Sequence, residues 1–148
     1  MPLRTNEPMP NATKQKVQVH LYRLEEGTGE PLFLILRRTA AKNRIWQPVT
    51  GNVEEGESPE EAALRELSEE TGICELCSCR RVGAFEFEKG NTRFYETVFV
   101  AETTKSDVTL CWEHEAHQWL PYERARELIH YESNKQGLDS AYREVKQS

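Results

Sequence analysis

Long apolar runs are missing from this sequence. The longest, residues 32–36 and 98–101, fall far short of the ~20 residues that span a bilayer. The first 16 residues contain three prolines and no apolar core of the signal-peptide kind. We therefore expect a flexible N-terminal arm over residues 1–16, a single domain over residues 17–148, a cytoplasmic location and no membrane partner.

Basic charge is also scarce. The 19 lysines and arginines are outnumbered by 25 acidic residues, which leaves a formal net charge of −6. Because non-specific nucleic-acid binding needs a basic surface, no nucleic-acid partner is expected. An acidic protein can still bind a small phosphorylated compound if its carboxylates first collect divalent cations. The charge therefore predicts that any phosphate chemistry here depends on metal ions.

Cysteine pairs are too few to indicate a zinc site. Cys74 and Cys77 form one C-x-x-C step with Cys79 close by, whereas Cys111 stands alone. A structural zinc site usually needs a second pair at similar spacing. Reduced, structurally ordinary thiols are therefore expected.

The hydrophobic pattern predicts strands and helices in mixed order. Ser58, Pro59 and Glu61 form a helix N-terminus with a capping box, and Gly72 is a natural residue to end that helix. Strands are predicted over residues 17–24, 32–38, 81–88 and 94–102, with a short one at 119–120, and helices over 59–71, 121–129 and 138–145. A sheet sandwiched between helices would accommodate this order.

A cluster of glutamates on the first of these helices carries the chemistry. The i, i+3, i+4 spacing of Glu66, Glu69 and Glu70 places three carboxylates on one helix face. Like charges at this spacing repel, and Arg65 is the one basic residue of the helix. A divalent cation would remove the conflict, and hard oxygen ligands suit Mg²⁺ or Mn²⁺. The alternative interpretation is an acidic, solvated helix face.

The segment around this helix resembles the Nudix box. Gly51, five residues, Glu57, seven residues and then Arg65-Glu66-Leu67-x-Glu69-Glu70-x-Gly72-Ile73 match all nine fixed positions. The resemblance implies an α+β Nudix fold, an α/β/α sandwich with a mixed β-sheet and a loop–helix–loop catalytic box. It also implies an enzyme, a Nudix pyrophosphohydrolase that hydrolyses phosphoanhydride bonds.

The same resemblance implies a role for each matched residue. The three helix glutamates would bind Mg²⁺, with Mn²⁺ as an alternative, and Gly51 would let a backbone carbonyl approach the metal. Either Glu69 or Glu70 would deprotonate the attacking water. Arg65 would hold Glu57 and the neighbouring carboxylates in place through bidentate contacts.

Three stretches outside the box are similar to bacterial dihydroneopterin triphosphate diphosphatases, a subgroup that also acts on dATP-like nucleotides. They are residues 46–54, the pair Glu113-His114 ahead of Trp119-Leu120, and residues 133–136. The similarity implies that Glu113 is an additional metal ligand, with Glu115 as the competing candidate. His114 and His117 are expected at the surface.

The subgroup similarity also implies substrate contacts. Arg37 and Thr50 would contact the triphosphate, although a strand-end cation and a turn residue are equally good interpretations. Trp46 would stack on a base or pterin ring or, alternatively, anchor the core. Asn134 lies in a stretch that resembles a loop at the substrate site.

The predicted activity is metal-dependent hydrolysis of a nucleoside-triphosphate-like substrate, such as dATP or dihydroneopterin triphosphate, to pyrophosphate and the monophosphate. A dinucleoside polyphosphate hydrolase, acting on diadenosine tetraphosphate, is the alternative within the same class. A catalytically silent nucleotide-binding sensor is the alternative from another class. The expected partner is a small molecule, and the protein is expected to be a monomer or a homodimer.

Overall fold

A seven-stranded mixed sheet forms the middle layer of the molecule. The computed structural model describes residues 13–147. Its strands are β1 (Lys14–Leu24), β2 (Pro31–Arg38), β3 (Trp46–Gln47), β4 (Val49–Asn52), β5 (Ser78–Lys89), β6 (Thr92–Glu102) and β7 (His114–Pro121). Its helices are α1 (Pro59–Thr71), α2 (Tyr122–Leu128) and α3 (Glu132–Gln147), with a single 3-10 turn at Ala40–Lys42. The predicted α+β fold class is confirmed.

The strand directions bring the ends of five strands together along one side of the sheet. The order is β3-β2-β1-β6-β5, while β4 also pairs with β1 and β7 with β2. β1 and β6 run parallel, and all other pairs are antiparallel. The starts of β1, β6 and β7 therefore lie beside the ends of β2 and β4. We call this the lower edge; it includes Lys14, Arg38, Asn52, Phe94 and His114.

The helices cover the two faces of the sheet. α1 packs on one face, where the buried side chains include Val17, Val19 and Leu21 of β1. α2 and α3 pack on the other face, where Tyr22 and Phe33 belong to a second core cluster. This is the predicted arrangement of a sheet between helices. None of the helices in the described range is both long and apolar enough to cross a bilayer.

Several boundaries differ from the sequence prediction. β1 begins at Lys14, so the last residues of the predicted arm belong to the sheet, while residues 1–12 of that arm lie outside the described range. β7 is eight residues long instead of the short strand expected at 119–120. α3 begins at Glu132 instead of residue 138, so the predicted loop at 133–136 is wrong: these residues form the first turns of a helix.

Gly137 explains why the start of α3 was missed. Glycine inside a helix costs about 1 kcal/mol relative to alanine, so its presence argues against a helix. Any Cβ at this position would collide with the side chains of Gln18 and His20 on β1. The close approach of α3 to the sheet thus requires glycine here. The packing of α3 against β1 outweighs the low helix propensity of this residue.

The caps of α1 are those that the sequence predicted. Ser58 Oγ accepts the Glu61 backbone N–H at 3.1 Å, and Glu61 Oε1 accepts the Ser58 N–H at 2.9 Å. Gly72 ends the helix with a left-handed φ of 74°. These caps fix where α1 begins and ends, and hence which of its residues face the sheet.

We expect Ser58→Ala to lower the free energy of unfolding by about 1 kcal/mol, because one backbone N–H of the first turn loses its acceptor. Urea denaturation followed by circular dichroism measures this change. Ser68→Ala, at an exposed position within the same helix, is the matched control and should be nearly neutral. Equal destabilisation by both substitutions would contradict the role of the cap.

Candidate active site

One guanidinium group organises the acidic part of α1. Arg65 Nε and Nη2 donate to the Glu57 carboxylate at 2.8 and 3.1 Å. Nη1 donates to Glu66 at 2.7 Å and to Glu69 at 3.0 Å, and Nη2 also donates to the Asn52 carbonyl at 2.8 Å. Hydrogen bonds from Arg65 lower the pKa of Glu57. Arg65 therefore ties the loop after β4 to the helix and compensates part of the carboxylate repulsion.

Gly51 lies directly against Glu66. It pairs with Val17 in the β1–β4 ladder, on the side of the sheet that α1 covers. Any side chain at residue 51 would collide with Cγ, Cδ and Oε1 of Glu66. Glycine is thus required by the close approach of a carboxylate to the backbone, and this approach leaves the two groups side by side at the lower edge.

Glu70 is the buried member of the glutamate cluster. Its side chain is 3% exposed, and Oε1 lies 3.7 Å from Nε2 of the equally buried His114. Neither atom has a hydrogen-bond partner within the described residues. Burial, followed by the nearby carboxylates of Glu66 and Glu113, raises the pKa of Glu70 far above its usual range. Without a cation this carboxyl is neutral at physiological pH.

His114 was expected at the surface, and that prediction is wrong. The residue is 7% exposed and faces Glu70 from the start of β7. Burial, together with the positive charge of Arg38, lowers the pKa of His114 to about 4. The imidazole is therefore neutral and adds no positive charge next to the glutamates.

The two glutamates that flank His114 have different partners. Glu113 lies close enough to Glu70 to raise its pKa. Glu115 instead forms ion pairs with Arg37 at 2.8 Å and with Arg44 at 3.5 Å. A carboxylate held by two arginines is less available to a cation, so the geometry favours Glu113 over Glu115 as a ligand.

The donor set of this region fits a hard divalent cation. The carboxylates of Glu66 and Glu113 each lie near enough to Glu70 to raise its pKa, and a buried oxygen of Glu70 lacks a hydrogen-bond partner in the described range. Within residues 13–147, no three acidic, histidine or cysteine side chains are arranged so that they could hold a metal ion together. Arg65 binds Glu66 and Glu69 instead. A divalent cation carries the same sign of charge as the Arg65 guanidinium, so it would take the place of Arg65 beside these carboxylates.

The predicted substrate contacts lie on the opposite face of the same edge. Arg37 pairs with Trp46 across β2 and β3, and its guanidinium lies 5.5 Å from the centroid of the indole. Trp46 also packs against the second core cluster. Thr50 Oγ1 accepts a hydrogen bond from Gln47 at 3.3 Å. Asn134 is only 4% exposed in α3, which differs from the accessible loop position expected for it.

Arg38 is a site residue that the sequence analysis missed. It pairs with His114 at the end of β2, so it lies beside the glutamate cluster, whereas Arg37 points to the other face. Its Nε has no hydrogen-bond partner within the described residues. The sequence did contain a signal for this residue: two consecutive arginines end a buried strand. Because side chains alternate along a strand, one of the two must lie on the same face as the glutamates.

Comparison with known proteins gives consistent results. A family model described as NUDIX domain matches residues 14–145. The dihydroneopterin triphosphate diphosphatase of Escherichia coli is 34% identical over 109 residues, which cover 64% of this chain and 73% of that protein. The asymmetrical bis(5'-nucleosyl)-tetraphosphatase of Rattus norvegicus is 34% identical over 119 residues, covering 74% and 78%. The solved structure of the E. coli dihydroneopterin triphosphate pyrophosphohydrolase superposes with a TM-score of 0.68 at 30% identity, covering 87% of this chain and 96% of that one.

The neutral state of Glu70 makes a testable prediction for the metal-free protein. The unfolded chain releases the Glu70 proton above about pH 4.3, whereas the folded chain retains it, so stability falls as pH rises from there towards the raised folded pKa. Glu70→Gln removes this penalty. At about pH 8 the variant should be more stable than the parent by on the order of 5 kcal/mol, and near pH 4 the difference should vanish.

Chemical denaturation in EDTA at the two pH values measures this effect. Glu69→Gln is the matched control, because the Glu69 side chain is 56% exposed on the same helix. It should show no such pH-dependent gain. A stability difference for Glu70→Gln that is equal at both pH values would contradict a buried neutral carboxyl.

Proposed function

Because this chain belongs to the Nudix hydrolase family, we propose that it hydrolyses a phosphoanhydride bond in a nucleoside-triphosphate-like compound. The products are pyrophosphate and the monophosphate, and the candidate substrates are dATP and dihydroneopterin triphosphate. The observation that carries the proposal is the arrangement of Arg65, Gly51 and Glu70 around a carboxylate cluster at the lower edge. The names of the E. coli relatives support a triphosphate substrate.

The proposed cation is Mg²⁺, with Mn²⁺ as the alternative. Its ligands would be the backbone carbonyl of Gly51 and the carboxylates of Glu66, Glu69, Glu70 and Glu113. Such an ion neutralises phosphate charge, stabilises the charge that develops on the leaving group and acidifies bound water. Since Glu70 is neutral when no cation is present, metal binding is coupled to the release of its proton.

The reaction itself requires little covalent chemistry from the protein. A water oxygen forms a bond to one phosphorus while the bond from that phosphorus to the bridging oxygen breaks, and the bridging oxygen leaves with the electron pair. A carboxylate accepts the proton that the water loses. Glu69, with a side chain 56% exposed, can pass this proton to solvent, which favours it over the buried Glu70 as the base. Arg65 acts as a positioning residue through Glu57, Glu66 and Glu69.

Basic side chains at the lower edge would bind the substrate phosphates. Arg38 lies beside His114 on the α1 face, and Arg37 lies on the opposite face with Trp46. The ion pair between Arg37 and Glu115 would have to open for a phosphate to reach that guanidinium. Thr50, on the same face as Arg37, would add a hydroxyl contact to the triphosphate.

Hydrolysis of a dinucleoside polyphosphate is a second candidate function. The 34% identity to the rat tetraphosphatase is the same as the identity to the E. coli diphosphatase and extends over slightly more of the chain. The same carboxylates would serve both reactions, but diadenosine tetraphosphate would yield ATP where a triphosphate yields pyrophosphate. The products therefore distinguish the two functions.

A substrate panel with Mg²⁺ at neutral and alkaline pH, resolved by ion-exchange chromatography, tests the proposal. The panel contains dATP, dihydroneopterin triphosphate, diadenosine tetraphosphate and 8-oxo-dGTP. Pyrophosphate from a triphosphate supports the proposed function, and ATP from the dinucleotide supports the second candidate. Binding without turnover of any of the four would identify a nucleotide-binding sensor and overturn both.

With the best substrate of this panel, we expect Glu69→Gln to lower kcat by about 10³-fold, because the variant loses a proton acceptor and a charged oxygen while keeping its size. Glu60→Gln is the matched control. Glu60 lies on the same helix but pairs with Arg81 on the exposed surface at 2.8 Å. Near-normal turnover by Glu69→Gln would refute the assignment of this helix face.

A second pair of variants separates the two candidate ligands on β7. Glu113→Gln should raise the Mg²⁺ concentration for half-maximal activity by about 10-fold or more, because the cation loses a charged ligand. Glu115→Gln should leave this concentration within a factor of about two, since Glu115 is paired with Arg37. Magnesium titrations of activity make the comparison, and a larger effect at residue 115 would reverse the assignment.

A further inference from the structure

The His114 imidazole lies between a carboxyl group and a thiol, and each of its ring nitrogens faces one of them. Nε2 lies 3.7 Å from Glu70 Oε1, and Nδ1 lies 3.8 Å from Cys111 Sγ. The same sulfur lies 3.9 Å from Glu113 Oε1. Glu70, His114, Cys111 and Glu113 thus form a continuous row of polar side chains, which joins α1 to the start of β7.

The Glu70 end of this row contains two buried polar atoms without partners. Glu70 Oε1 and His114 Nε2 each lack a hydrogen bond among residues 13–147, although both side chains are only 3% exposed. An unpaired buried donor or acceptor costs about 1–3 kcal/mol, so two that face one another call for an explanation. A small rotation of either side chain would bring the two atoms within hydrogen-bonding distance. The hydrolytic chemistry described above gives Glu70 a role and His114 none.

The other end of the row supplies what the imidazole needs. In a neutral imidazole one ring nitrogen carries a proton and donates, while the other presents a lone pair and accepts. Glu70 as a carboxylate only accepts, so Nε2 must carry the proton in order to pair with it. Nδ1 then needs a donor, and the Cys111 S–H lies in position to be one. The hydrogen bond at one ring nitrogen thereby determines which contact the other nitrogen can make.

Packing alone does not account for a histidine at this position. A phenylalanine would occupy a similar volume, and it would not bury an unpaired ring nitrogen next to a carboxyl group. A phenylalanine would, however, leave Glu70 Oε1 with no donor on this side. The second Glu70 oxygen lies beside the Glu66 carboxylate, within the cluster of candidate ligands. A donor at Nε2 would therefore hold one oxygen of Glu70 and leave the other for the cation.

We propose that His114 is a positioning residue that orients the Glu70 carboxylate towards the cation, and that Cys111 selects the imidazole tautomer required for this. Groups that hydrogen-bond to a metal ligand orient it, and their loss typically lowers metal affinity by about 10- to 100-fold. The inference rests on the cation site of the proposed function and does not depend on which substrate is bound.

Calorimetric titration of the substrate-free protein with Mn²⁺ tests the role of His114. His114→Phe should weaken Mn²⁺ binding by about 10- to 100-fold, because the ring keeps its size and loses the N–H donor. His114→Gln should recover most of the affinity, since its amide nitrogen donates from a position similar to that of Nε2. His117→Phe is the matched control: His117 pairs with Leu36 farther along β7, and its loss should change the affinity by less than about twofold.

The tautomer of His114 gives a second readout that needs no turnover. ¹⁵N NMR of the Mg²⁺-loaded protein should show the imidazole proton on Nε2, and the signal is assigned by its loss in His114→Gln. Cys111→Ala should shift the population towards the Nδ1–H form, because Nδ1 loses its donor. Cys111→Ser retains an O–H donor and should keep the Nε2–H form. Mn²⁺ binding should accordingly be weaker in the alanine variant than in the serine variant.

The outcomes separate the inference from the proposed function. Unchanged Mn²⁺ affinity in His114→Phe overturns the inference, and so does equal weakening by the phenylalanine and glutamine variants, which indicates a packing role. A proton on Nδ1 in the Mg²⁺-loaded wild-type protein also overturns it. If thermal unfolding shows that His114→Phe does not fold, the Cys111 pair decides, and identical behaviour of its two variants overturns the inference. Absence of hydrolysis across the substrate panel overturns the proposed function alone, since neither readout requires turnover.

Discussion

The constraint on which the rest of the structure depends is the repulsion between the carboxylates of α1 and the loop before it. No lysine of α1 compensates this repulsion. Arg65 counters it within the described residues by donating hydrogen bonds to three glutamates and the Asn52 carbonyl at once. A planar guanidinium can make these contacts in fixed directions, whereas a lysine ammonium could not. Glycine at residue 51 then allows the strand to approach Glu66 directly. The geometry of the site follows from these two residues, the arginine at 65 and the glycine at 51.

Local signals made this part of the molecule predictable. The capping box, the C-terminal glycine and the i, i+3, i+4 spacing of the glutamates lie within one short segment, and each depends on neighbours along the chain. Strands β1, β2, β5 and β6 were also predicted, because buried strands such as β2 are almost entirely apolar, whereas β3 and β4 were not predicted and most of β7 was not. The burial of Glu70 could not be predicted from the sequence, because it depends on contact with His114, which comes 44 residues later.

The other face of the sheet was harder to predict. Gln18 and His20 alternate with apolar residues on β1, which normally indicates a solvent-exposed polar face. Here α3 covers them, and it does so through Gly137, a residue that argues against a helix when read locally. The choice between Glu113 and Glu115 was similarly open, because a β-bulge near Arg37 and Arg38 sets which glutamate meets an arginine. Long-range packing decided each of these points.

The antiparallel pairing of β2 with β7 has a consequence for how the site is assembled. Gly51, Arg65 and Glu70 belong to one continuous segment, whereas His114 reaches Glu70 only because β7 runs beside β2. A change in the register of β7 against β2 would therefore move His114 away from Glu70 and leave the hydrogen bonds of Arg65 in place. One half of the site tolerates slippage of the sheet, and the other half does not.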